Sequence, residues 1–137
     1  MEESTIDLIK RKRLAYKTIS SVPCPAFSDE PVHFNKDGFN HLIRKGRLPR
    51  TSIEIRKRLA LLSEVPGILK SCDSYDTYRL HTSTEGINIS EFWSLSAKRE
   101  DEKIIVVIRQ IGNGTKHFFS VMSDDLSLKS TKTPKGL

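Results

Sequence analysis

Apolar residues keep helical spacing in the first half of this chain and alternate in the second. The stretch from Ser4 to Ile19 is predicted to be a helix, capped by Ser4 or Thr5, with Asp7 suited to its positive end. Its apolar stripe can be drawn through Ile6, Ile9 and Tyr16 or through Leu8, Ala15 and Ile19. Ser20 to Pro31 holds three prolines and reads as an extended linker. A short helix over 36–45 follows, with Asn35 as its cap and Phe39, Leu42 and Ile43 facing the core. After a loop over 46–50, Thr51-x-x-Glu54 has the form of a capping box. It opens a longer helix whose buried stripe runs through Ile55, Leu59, Leu62 and Val65, with Arg56, Lys57 and Arg58 largely off it, until Pro66-Gly67 interrupts.

Beyond Cys72 the β-branched and aromatic runs 75–80, 91–98, 103–111 and 117–123 read as strands, with a polar loop over 82–90. Asn113-Gly114 is a hairpin signal. With a two-residue turn there, Arg109 opposes Phe118 and Val107 opposes Ser120. Ile105, Val107, Arg109, Phe118, Ser120 and Met122 then share one face, and Ile104, Val106, Ile108, Phe119 and Val121 the other, which should meet the helices. Helices followed by a meander argue for an α+β fold, two to three N-terminal helices on an antiparallel sheet of about four strands. A winged-helix arrangement, with Arg56-Lys57-Arg58 on a recognition helix, is the alternative. The chain divides into a basic helix and linker (1–31), an α+β domain (32–123) and a Ser/Lys/Thr-rich flexible tail (124–137).

Composition narrows the classes. The 137 residues are long enough for one domain with a real core, and 36% hydrophobic against 29% charged residues implies a small core under a charged surface. The longest apolar run, Ile104–Ile108, is far short of the ~20 residues of a membrane span, and the N-terminus lacks the apolar stretch of a secretory signal. Cys24 and Cys72 show no metal or redox spacing, so free thiols and a cytoplasmic location are expected. Neither a zinc pattern nor a phosphate loop is present, and no cofactor is expected. The net charge of +6 is uneven: residues 10–58 carry 13 bases against 4 acids, whereas 59–137 balance at 10 each. A localised basic half suits a polyanion partner, although basic helix faces are often merely solvated.

Four residues stand out for chemistry. His41 points off the apolar stripe amid Arg44, Lys45 and Arg47, whose charge would favour a neutral imidazole base; the plain alternative is a surface histidine. Arg109 places a cation inside an apolar strand, which calls for a cleft and an anion or for a carboxylate such as Glu91. Ser120, on its expected face, could donate to a phosphate oxygen, and His33 is the second histidine candidate. His81 and His117 read as structural, His117 on the helix-facing side. Arg11, Arg13, Arg44, Lys45, Arg47, Arg50, Arg56 and Lys98 are candidate nucleic-acid contacts. Phe92 or Trp93 could stack on a base, though core packing is the commoner fate of a strand aromatic.

Several phrases carry a resemblance: VHFNKDGFNHL at 32–42, VPGIL at 65–69, IIVVIRQ at 104–110 and FFSV at 118–121. Together with the helix-then-meander order, they resemble the toxin-type and phage-associated branches of the barnase/EndoU/colicin/RelE superfamily over about residues 32–123. That resemblance implies a RelE/barnase-like fold and a metal-independent endoribonuclease acting through 2′-hydroxyl attack. A base, an acid and phosphate-holding cations would do the work, and the ribosome or a cognate antitoxin or immunity protein would be further partners. A clear glutamate for a barnase-like general base is missing, with Glu54 and Glu91 as substitutes. The other expectation is a non-catalytic nucleic-acid-binding or protein-interaction module on the same fold.

Overall fold

The computed structural model describes residues 2–83, 86 and 88–125. Helix α1 (Thr5–Tyr16) starts where the Ser4 hydroxyl accepts the Asp7 backbone N–H. Neither stripe drawn from the sequence is buried as a unit: Tyr16 is buried, Leu8, Ile9 and Ile19 are partly buried, and Ile6 lies open. The expected linker is instead a hairpin of β1 (Val22–Cys24) and β2 (Glu30–Val32) around a 3-10 turn at Pro25–Phe27. Pro23 and Pro31 face each other on its exposed side, while Val22, Cys24 and Val32 enter the core. Proline content signalled irregular backbone, but alternation around the prolines decided the structure.

Helix α2 (Lys36–Ile43) is capped by Asn35, whose side-chain oxygen accepts the Gly38 N–H at 3.2 Å. It buries Phe39 and Leu42. It ends two residues before the expected helix end, where β3 (Arg44–Lys45) begins, and β4 (Leu48–Pro49) lies within the loop expected over 46–50. Helix α3 (Ser52–Leu61) opens on the Thr51 cap, and a 3-10 turn leads from it into α4 (Val65–Ser71). Pro66 does not interrupt α4, because it sits in the first turn, where a missing N–H breaks no intrahelical bond. Arg58 is drawn against the sheet and Arg56 toward the N-terminal segment, so Arg56-Lys57-Arg58 is not one exposed recognition face.

Strands β5 (Thr77–Thr82), β6 (Ile89–Arg99), β7 (Glu102–Ile111) and β8 (His117–Asp125) form an antiparallel meander in sequence order. One face is sealed by the helices: Leu95, Val106, Ile108, Phe118 and Val121 are fully buried with Phe39, Leu42, Leu59, Ile68 and Leu69. The protein is therefore α+β. Strand β8 takes Asp124 and Asp125 from the expected tail, whose residues 126–137 lie outside the described residues. Among the described residues no helix is long and apolar enough to cross a membrane.

The β7–β8 register departs from the two-residue turn in an informative way. A five-residue connection, Gly112 to Lys116, joins the strands, and Gly112 takes the left-handed conformation (φ 54°). Arg109 consequently pairs with His117 and Ile108 with Phe118. A bulge between Val107 and Ile108 leaves Phe119 unpaired and restores the expected Val107–Ser120 pairing. Phe118 thus joins the buried face, and His117 and Phe119 move to the side of Arg109. Those three assignments are the reverse of what the short turn required.

Candidate functional site

The face of the sheet away from the helices carries a cross-strand row. Arg79 on β5 lies opposite Phe92 on β6, Phe92 opposite Arg109 on β7, and Arg109 opposite His117 on β8. Helix α2 runs beside β8 close enough that a Cβ on Gly38 would strike the Phe118 carbonyl oxygen. That approach, possible only for glycine, brings the next turn of α2 to the open face at Phe119. There a cleft of about 470 Å³ opens, lined by Asp37, Asn40, His41, Arg44, Gly46, Arg109 and Phe119.

His41 lies against Phe119, ring centroids 4.2 Å apart. Its Nδ1 is buried without a hydrogen-bond partner among the described residues. With a proton on Nδ1, Nε2 is the nitrogen that can offer a lone pair to the cleft. Burial first, and then the charges of Arg50, Arg58, Arg109 and Lys45, push its pKa down to about 4. The imidazole is neutral at physiological pH.

Arg109 is held from three sides. Its Nη2 pairs with the Asp37 carboxylate at 3.3 Å, its Nε donates to His117 Nε2 at 2.9 Å, and its guanidinium sits 4.6 Å from the centre of the Phe119 ring. Because arginine only donates, His117 must accept at Nε2 and so remains neutral. Burial, and next the Arg109 charge, lower the His117 pKa in agreement. The partner of Arg109 is Asp37 rather than Glu91, which lies on the other side of β6 and accepts a 2.8 Å bond from the Tyr78 hydroxyl.

His41, Arg109 and Arg44 therefore meet in one cleft, and other expected residues do not join them. Ser120 is 1% exposed and accepts a 2.8 Å hydrogen bond from Arg58 Nη1, so its hydroxyl serves the α3–β8 contact. His33 is engaged through its backbone at the start of β8, as acceptor for Phe118 N–H and donor to Lys116 O. Glu54 pairs with Arg58 and does not line the cleft. Trp93 is 8% exposed on the helix side, packed on Phe27 and Tyr78, whereas Phe92 is half-buried on the open face.

The basic residues separate into groups. Lys45, Arg47 and Arg50 follow Arg44 through the β3–β4 turn beside the cleft; Arg44 donates to the Arg47 carbonyl at 2.5 Å and Arg50 to the His41 carbonyl at 2.9 Å. Arg13 lies over the Phe39 ring and reaches Asn40. Arg11 is paired with Glu3 at 2.9 Å, and Arg56 donates to the Glu3 carbonyl at 2.7 Å, so both tie the N-terminal segment to α1 and α3. Lys98 pairs with Lys103 across the far end of the sheet, six residues along β7 from Arg109 and so about 20 Å away.

Asp37, Asn40, His117 and Phe119 were missed from sequence. Asp37 and His41 are one helical turn apart, a spacing that would have brought Asp37 forward; His117 and Phe119 were lost to the register. Both cysteines are free, and burial raises both thiol pKa values, which disfavours a thiolate nucleophile. Among the described residues no three His, Cys, Asp or Glu side chains gather as a metal site. No protein-family model, curated protein or solved structure matches the chain.

Proposed function

We propose that this protein is a small endoribonuclease of the toxin-like or phage-associated kind, on a RelE/barnase-like arrangement, cutting RNA without a metal. The observation that carries the reading is the meeting of a neutral histidine and two arginines, from α2, β3 and β7, around one open cleft. A phosphodiester seated between Arg109 and Arg44 would find its charge held by guanidinium donors. His41 Nε2 would take the proton of the 2′-hydroxyl as its oxygen attacks phosphorus. The bond to the 5′ oxygen then breaks, leaving a 2′,3′-cyclic phosphate, and the departing oxygen takes its proton from water. Positioning and charge stabilisation carry most of such a reaction, which suits a site rich in fixed cations.

A binding module on the same fold is the second reading. It is favoured by the low basicity of His41 and by Asp37, which already occupies Arg109. Incubation of the protein with total RNA in EDTA across pH 5–8 separates the two. Fragments ending in 2′,3′-cyclic phosphate support the nuclease; intact RNA at enzyme excess, with RNA still bound, supports the module.

A further inference from the structure

The cross-strand row does not stop at the cleft. Phe92 sits between Arg109 on one side and Arg79 on the other, directly opposite both. The Arg79 guanidinium lies 4.7 Å from the centre of the Phe92 ring, and Phe92 meets Phe119 edge to face at 5.4 Å. Arg79 is exposed and makes no ion pair among the described residues. Along β6 the neighbours of Phe92 on this face are Ser90 and Ser94, too small to cover it. An aromatic ring left half-open beside an exposed guanidinium is a poor core and a good flat platform.

We propose that Arg79 and Phe92 form a stacking subsite for one unpaired nucleobase of the strand whose phosphate is held at Arg109. The inference rests on the nucleic-acid reading of the cleft and adds the form of the substrate. Adjacent strands lie about 4.8 Å apart, which puts Arg79 roughly 10 Å from Arg109, a separation that one nucleotide can span from phosphate to base. Guanidinium planes and aromatic rings both stack bases without regard to sequence. A base inside a duplex is already stacked and turned away from the sheet, so the subsite selects single strands.

Fluorescence anisotropy tests this with three labelled probes that lack the 2′-hydroxyl and so cannot be cut: a short 2′-deoxy strand, an abasic strand of equal length and charge, and the corresponding duplex. The wild type should prefer the base-bearing strand over the abasic one by roughly 5- to 100-fold. Phe92→Leu, which keeps an apolar side chain on β6, and Arg79→Gln, at an exposed position, should each erase most of that preference. Both should retain cooperative thermal melting. Equal binding of base-bearing and abasic strands by the wild type would overturn the stacking subsite while leaving the phosphate cleft standing. So would a preference that survives in both variants, or tighter binding of the duplex. Failure to bind any probe would overturn the subsite and the nucleic-acid reading together.

Discussion

Replacing His41 with phenylalanine should change how stability depends on pH. An unperturbed histidine titrates near 6.5; in the folded protein burial and four nearby cations push His41 down to about 4. Between those values the unfolded chain holds a proton that the folded chain does not, so stability falls as pH drops through this window. At about 1.36 kcal/mol per pKa unit the full loss would be roughly 3 kcal/mol; solvent at the cleft mouth reduces this to about 1–2 kcal/mol. Phenylalanine keeps an aromatic ring beside Phe119 and removes both the titration and the unpartnered buried Nδ1. Urea unfolding of both proteins at pH 7.5 and 4.5 measures the difference. The wild type should lose about 1–2 kcal/mol more than His41→Phe between the two conditions, with other titrating groups common to both. Equal losses would refute the burial and charge argument, as would a His41 titration by NMR centred near 6.5.

Three further outcomes follow from the same geometry. Asp37→Asn removes a carboxylate from Arg109, and because that pair is largely open on the aspartate side the gain should be modest, up to about fivefold tighter RNA binding by anisotropy. Changing Arg44 and Lys45 together to alanine should flatten the log–log salt dependence of single-strand binding by about 1.4, at roughly 0.7 per phosphate contact. Ser120→Ala should cost about 1 kcal/mol in chemical denaturation by leaving Arg58 short of an acceptor, with RNA cleavage kept at the wild-type rate.

The class of fold was legible because the strongest signals were local. The Ser4, Asn35 and Thr51 caps, the Ile55–Leu59–Leu62–Val65 stripe and the IIVVI strand each depend on a few neighbouring residues. What escaped was set by longer-range geometry. The connection after Ile111 and the bulge at Phe119 each shift the register by one residue in opposite senses. Sequence alternation therefore placed Val107 and Ser120 correctly but put Phe118, Phe119 and His117 on the wrong sides. His41 and Arg109 were recognisable one at a time, the first from helical phase and the second as a cation among aliphatics. Their meeting depends on Gly38, whose missing side chain lets α2 reach β8. Ser120 shows the converse: its strand pairing is as expected, but its hydroxyl accepts from Arg58 and serves packing.

Whether His41 and Arg109 act on one phosphodiester as a unit is decided by a double-mutant cycle on RNA cleavage. Single-turnover rates would be measured for the wild type, His41→Phe, Arg109→Gln and the double variant, in EDTA at neutral pH. Groups that act together lose most of their effect when either is removed. Each single change should abolish most of the cleavage, and the double variant should be no slower than the worse single one. Losses that multiply, single variants that cut at the wild-type rate, or a wild type that leaves RNA intact would contradict it.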